Sequence, residues 1–301
     1  MYKVNSYFYI FIFFVCYLLG DQKVDLIVFS YNRPMQLWAL LEGIDKYING
    51  LGARYVICRA DAEFKNAYKD VEDRYKNFNF LYQGNNPKLD FKPYLLKAFK
   101  SEANKYIMFA VDDIIVKDYI DLNKCINCLE KYKAYAFFLR LGKNIDYCFM
   151  TKTNTPVPSF INVEEGVNLY KFSSGSCDWR YPNNNDMTIY RKIDIVSFFK
   201  NANYSSTGYE GLWSIKANLN QLGLFFDKSK ILNLSINLVG DVPNLRQFTN
   251  EELKIVKKYS SKELLKLFYE SKRIDISYLG LYENKSPHVC IDPFFVDVIN
   301  K

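Results

Sequence analysis

"VDLIVFSYNRPMQLWALLEGIDKYI", residues 24–48, sets two periodicities back to back. Residues 24–30 are a nearly continuous apolar run, the pattern of a strand covered on both faces. After a short polar turn, Pro34 opens a segment whose apolar residues recur at helical spacing. Proline suits the first turn of a helix, where its missing N–H has no partner to lose. A strand feeding straight into a helix is half of a βαβ unit, and the alternation repeats downstream. Residues 53–60 read as a second strand, 63–76 as a charge-rich second helix, and 78–83 as a short third strand. Residues 90–103 read as a third helix entered around Pro93, and 105–111 as a fourth strand. Four strands separated by helices of one pattern predict a parallel sheet with right-handed crossovers.

In such sheets ligands gather at the carboxyl ends of the strands. The polar residues at those ends are Ser30, Asn32 and Arg33 after the first strand, Asp61 after the second, and Asp112 and Asp113 after the fourth. The last two are adjacent carboxylates closing an apolar run. Ionised carboxylates at that distance repel, and burial worsens the repulsion. They persist most easily with a cation or a donor-rich group between them.

The second half is less regular. Residues 134–144 read as a strand followed by a polar loop, and 151–168 as loop. Residues 171–192, with a Gly, a Pro and an Asn run among aromatics, read as loop with one strand at the end. Residues 206–223 read as a helix capped by Ser206 or Thr207 and stopped by Gly223. Residues 224–239 are β-rich, and 249–274 hold two capped helices, with Thr249 and Glu252 at capping-box spacing. There is no internal repeat and no low-complexity linker. One α/β domain over 21–240, with a C-terminal helical extension over 241–301, is expected.

The chain has 301 residues, enough for a full hydrophobic core. Its 40 Lys and Arg against 33 Asp and Glu leave a formal charge of +7. That mild excess suits a phosphate-bearing ligand or an anionic membrane surface. Without a basic block or a nucleic-acid motif it does not argue for nucleic acid. The seven cysteines are irregularly spaced, which argues against a disulfide framework. Cys125 and Cys128 have CxxC spacing but fall in an amphipathic helical pattern with no second pair for zinc. The sequons at Asn203, Asn233 and Asn284 are what chance gives in a chain so rich in Asn and Ser. Residues 1–20 carry Lys3 and then an apolar run from Tyr7 to Leu19. That fits a signal peptide, or an uncleaved signal anchor, better than a full span of about 20 residues. The chain is thus expected to be exported or held at a membrane.

With these residues in place, the segment "DLIVFSYNRPMQLWALLEGI" resembles the opening strand-loop-helix of GT-A type glycosyltransferases. The pair in "FAVDDIIV" resembles their metal-binding acidic motif. The likeness is best over 24–145 and diffuse to about residue 240. It implies a GT-A, Rossmann-like fold: a mixed, mostly parallel central sheet flanked by helices. It also implies transfer of a sugar from a nucleotide-sugar donor to a glycan, lipid or protein acceptor, assisted by a divalent cation, Mn²⁺ or Mg²⁺. By position, Ser30, Asn32 and Arg33 would meet the base or ribose, Asp61 the uracil or ribose edge, and Lys92 the diphosphate. Asp112 and Asp113 would hold ribose and cation, and His288, the only histidine, is a candidate further ligand. The family pattern is usually Asp-x-Asp; here Val111 precedes the pair and Ile114 follows it, so which carboxylate meets the metal stays open. Glu210 matches the placement of the general base of an inverting enzyme, near a helix start that favours its ionised form. Asp178 and Asp186 are its rivals, each set among aromatics. Arg140 and Lys143 could contact phosphate or be loop charges. A catalytically silent nucleotide- or carbohydrate-binding protein would keep the same fold. Nucleotidyl transfer also uses acidic pairs on a related sheet, but a Gly-rich phosphate loop is absent.

Overall fold

The computed structural model describes residues 22–100, 103–239 and 247–298. The leader expected at residues 1–20 lies outside them, and among the described residues no helix is long and apolar enough to cross a membrane.

The chain enters through β1 (Val24–Tyr31), α1 (Pro34–Tyr47), β2 (Leu51–Arg59), α2 (Lys65–Arg74), β3 (Asn79–Tyr82), α3 (Pro87–Phe99) and β4 (Tyr106–Val111). This is the alternation expected from the sequence. Helix α3 begins earlier than Pro93 suggests, because Pro87 takes its first turn and Pro93 lies inside it. After β5 (Ile114–Val116), α4 (Leu122–Lys131) and β6 (Ala136–Phe138), the segment expected as loop forms a hairpin, β7 (Phe160–Glu164) and β8 (Val167–Lys171). Its turn places Gly166 at φ +72°, a left-handed value that glycine adopts freely. Next come β9 (Thr188–Arg191), α5 (Lys192–Asn201), α6 (Tyr209–Ile215), β10 (Leu222–Phe226) and β11 (Ile231–Leu234).

The central sheet has the order β7-β8-β10-β6-β9-β4-β1-β2-β3. Strands β1 to β4 are mutually parallel, and only β8 and β9 run against the common direction. The sheet is therefore mixed and mostly parallel, as expected. Along β1 the burial alternates by face. Leu26 and Val28 join the core beneath α1 and α2, while Ile27 and Phe29 join an aromatic core that includes Phe91, Phe109, Phe199, Tyr209 and Trp213. Asp25 interrupts this apolar strand. Its carboxylate accepts Lys192 Nζ at 2.6 Å, Ala53 N–H at 2.8 Å and Asn104 Nδ2 at 2.6 Å, so the buried charge is fully partnered.

The expected helix over 206–223 is much shorter. It ends at Ile215, and Asn218 Oδ1 then accepts the Asn220 N–H at 3.0 Å, a side-chain turn that competes with helix. Gly223 stops nothing. It lies within β10, where a Cβ would sit 2.5 Å from Phe172 and 2.6 Å from Phe138.

The C-terminal residues form α7 (Asn250–Lys258), α8 (Ser261–Tyr269), β12 (Lys272–Ile274), α9 (Ile276–Gly280), β13 (His288–Val289) and β14 (Phe295–Asp297). The Thr249–Glu252 capping box is formed in full. Helix α8 and strand β12 pack on α1, and β13 pairs parallel to β11, which in turn pairs with β5. Cys125 and Cys128 are buried free thiols on α4. Asn233 and Asn284, both in sequons, are 1% exposed.

Candidate active site

Register builds the site. Phe29 pairs with Val111 across β1 and β4, so the next residues on each, Ser30 and Asp112, meet at the rim. Ser30 Oγ donates to Asp112 Oδ2 at 2.8 Å, and the Tyr31 N–H reaches the same oxygen at 3.2 Å. Tyr68, from α2, sets its hydroxyl 2.5 Å from Ser30 Oγ and accepts the Arg33 N–H at 3.2 Å. On the other side of β1, Tyr31 pairs with Arg59, whose guanidinium lies 4.4 Å from the Tyr31 ring centre.

Asn32 stands between these contacts at φ +51°, a conformation asparagine tolerates better than most residues. Its side chain donates to Asp61 Oδ2 at 2.7 Å and accepts the Asp61 N–H at 2.9 Å. The two residues thus lock the β1 turn to the end of β2.

What separates the adjacent carboxylates is Arg33. Its Nη1 donates to Asp112 Oδ1 at 2.9 Å and to Asp113 Oδ2 at 3.3 Å, while Nη2 donates to the Asn237 carbonyl at 2.8 Å. Asp112 and Arg33 are 3% and 7% exposed, so the pair is shielded from water. Burial holds the Asp113 carboxyl above its ordinary range, against the pull of Arg33.

The acidic line continues past Asp113. Asn233 on β11 donates to Asp186 Oδ1 at 2.9 Å and more weakly to Asp113 Oδ1 at 3.5 Å. His288 Nε2 lies 4.0 Å from Asp186 Oδ2. Beyond Asp186, Glu210 on α6 accepts a hydrogen bond from Asn185 Nδ2 at 2.7 Å. Burial, and then the charge of Asp186, push the Glu210 carboxyl up to about 8.

The resemblance implies a divalent ion on Asp112, Asp113 and His288. Both Asp112 oxygens are already taken by Arg33, Ser30 and the Tyr31 N–H, and His288 faces Asp186. Among the described residues no three His, Cys, Asp or Glu side chains are grouped to hold an ion. As placed, these residues do not fit an ion between the two carboxylates, and the guanidinium of Arg33 takes that position.

A cavity of about 390 Å³ opens at this rim. Ser30, Arg33, Arg59, Lys88, Asp112 and Thr207 are among the residues lining it. Asn32 and Asp61 buttress its β1 turn. Lys92 is turned away: its ammonium is held by the Lys200 and Ala202 carbonyls at 3.0 and 2.7 Å. Lys88, one turn earlier on α3, lines the cavity instead. Asp178 is paired with fully buried Arg140 at 2.8 Å, and Arg140 also binds the Asp178 and Tyr181 carbonyls, so both shape a turn. Lys143 pairs with Asp227 at 2.5 Å. Arg59, Lys88, Asn185, Asn233 and Asn237 join the site without having stood out in the sequence. The Asn run before β9 was a signal: Asn183, Asn184 and Asn185 are all buried, which asparagine rarely is without a full set of partners.

No family model matches the chain. It is 29% identical over 196 residues to the bifunctional glycosyltransferase pgtA of Dictyostelium discoideum, covering 59% of this chain and 25% of that one. The chain therefore spans a quarter of that relative's length. Among solved structures, residues 1–349 of S. aureus TarS align at 17% identity and a TM-score of 0.45, over 70% of this chain and 60% of that one. The mannosyltransferase PcManGT of Pyrobaculum calidifontis, solved with GDP-Man and Mn²⁺, aligns at 9% identity and a TM-score of 0.38, over 68% and 55%. TarS has also been solved with UDP-GlcNAc. In sequence the chain is similar to a curated glycosyltransferase, and it carries the mixed, mostly parallel sheet that its resemblance to GT-A type glycosyltransferases implies.

Proposed function

We propose that the chain is a glycosyltransferase that moves a sugar from a nucleotide-sugar donor to a glycan, lipid or protein acceptor. The observation that carries this reading is the rim cavity. Its size suits a small organic ligand. Its lining carries the cations Arg59 and Lys88, while Arg33 there is held by Asp112 and Asp113. Such a balance favours an anionic donor.

Transfer breaks the bond between the anomeric carbon and the diphosphate oxygen, and the diphosphate leaves with the electron pair. Fixed cations at the rim favour that charge as it develops. Ser30 and Asp112 hold the β1 turn rigid, so Arg33 keeps its place. Glu210 is the proposed base: it takes the acceptor hydroxyl proton as the oxygen attacks the anomeric carbon. A divalent cation would add charge neutralisation when bound, but these residues do not form its cage. The leader, residues 1–20, is proposed to export the chain or anchor it at a membrane, with 21–240 as the transferase domain and the rest packed on it.

Calorimetry with UDP-GlcNAc and GDP-Man, each with Mn²⁺ and with EDTA, tests the reading. Binding of at least one donor is expected, weakened about tenfold or more by Arg59→Ala combined with Lys88→Ala. Failure to bind either nucleotide sugar under both conditions would remove the proposal. A second reading, a catalytically silent nucleotide- or carbohydrate-binding protein, is favoured by the engagement of the acidic pair by Arg33. It predicts donor binding without donor hydrolysis or transfer.

A further inference from the structure

Glu210 does not stand alone on its helix. Asn185 Nδ2 donates to Glu210 Oε2 at 2.7 Å, and the Tyr209 hydroxyl donates to Asn185 Oδ1 at 2.5 Å. In this orientation the hydroxyl takes Oδ1 and leaves the nitrogen facing Glu210, where an NH₂ group can only donate. Tyr209 is 1% exposed and packs against Phe29, Phe199 and Tyr204, so the hydroxyl is rigidly set. Asn185 is also 1% exposed. Such a fixed donor prefers a carboxylate to a carboxylic acid.

We propose that Asn185, oriented by Tyr209, is a positioning residue that fixes the Glu210 carboxylate and favours its proton-accepting form. The inference rests on the reading of Glu210 as the base. The charged and titratable groups that face Glu210 are Asp186 and Arg140, together with the Tyr181 and Tyr209 hydroxyls. Burial first, and then Asp186, oppose ionisation, while Arg140 and the Asn185 amide favour it, so the amide is the neutral donor working against that burial.

The test is a carboxyl titration of full-length protein labelled with ¹³C at Glu side chains, with the Glu210 signal assigned by its loss in Glu210→Gln. Asn185→Leu should raise the Glu210 midpoint by about one pH unit, since one hydrogen bond to the charged form is lost. Tyr209→Phe, which keeps the ring packing, should raise it in the same direction by less, and it carries the test if Asn185→Leu does not fold. The rising limb of donor hydrolysis against pH, followed with UDP-GlcNAc and GDP-Man, should move with the midpoint, with KM unchanged. A midpoint unmoved in both variants would overturn the positioning role. Hydrolysis retained in Glu210→Gln would overturn the base reading and this role with it, whereas hydrolysis lost there beside an unmoved midpoint would overturn the role of Asn185 alone.

Discussion

Arg33 decides whether two adjacent buried carboxylates can exist at the rim. Its Nη1 bridges Asp112 and Asp113, so Arg33→Met would leave two buried charges facing each other. Breaking a buried ion pair from one side costs about 3–5 kcal/mol, far more than a surface pair contributes. Urea denaturation should show a loss of that order, and adding Asp113→Asn to Arg33→Met should recover part of it. A loss under about 1 kcal/mol would mean the carboxylates find other partners or simply take up protons. All three residues were legible in the sequence as strand-end polar groups, but their pairing was not. It depends on the register of β1 on β4, and on Asn237, which lies 204 positions from Arg33 and takes its second Nη group. A local reading sees neither. Lys92 shows the opposite case, where the sequence found a cation near the right helix turn but could not see that backbone carbonyls capture it.

At the scale of elements, two glycines of neighbouring segments should respond to alanine with opposite signs. Gly223 in β10 packs its bare Cα against Phe172, Phe138 and Tyr170, and a Cβ would lie under 3.0 Å from all three rings. Gly223→Ala should destabilise by about 1–3 kcal/mol through overpacking. Gly211 lies inside α6, where a Cβ would meet nothing within 4 Å. Gly211→Ala should stabilise by about 0.5–1 kcal/mol, because alanine loses less backbone freedom in a helix. Thermal melts of the two single variants check both signs, and equal shifts in one direction would refute the account. The same pair marks where local periodicity stops predicting the element. Up to β4 the segments are long, periodic and punctuated by proline, and they were read close to their observed limits. Past β6, glycine marks hairpin turns and ring contacts instead of helix ends. The asparagines close side-chain turns that shorten α6. Tertiary packing overrides local preference there, and short strands such as β7 and β8 carry too few residues for a period to stand out.

For the molecule as a whole, the acidic line at the rim sets stability against the proposed activity. Burial, and then Asp186, push the Glu210 carboxyl up from about 4.5 to about 8, and burial raises Asp113 and Glu42 as well. A carboxyl whose folded value is raised binds its proton more tightly in the native state. Its penalty is absent below the unfolded value and grows as pH climbs toward the folded one, so stability falls across that window. The depressed carboxyls act elsewhere. Asp118, Glu130 and Asp227 are held down by hydrogen bonds and charges from Lys230, from Tyr106 and Arg191, and from Asn168 and Lys143. They lose their contribution only as pH drops below the ordinary carboxylate range. Lys117, pushed down to about 8 by burial, changes the balance only above that pH. Between about pH 5 and pH 8 the raised carboxyls therefore dominate, and the thermal midpoint should decline steadily. Glu210→Gln removes one of these titrations and should flatten part of that decline. With Glu210 as the proposed base, the proposed transfer should rise over the same interval, because only ionised Glu210 accepts a proton. A melting temperature insensitive to pH between 5 and 8, or a decline of equal slope in Glu210→Gln, would show that the carboxyl ionises freely in the folded chain. The protein would then hold the proposed base ready without sacrificing stability to do so, contrary to the usual trade-off at a site built for chemistry.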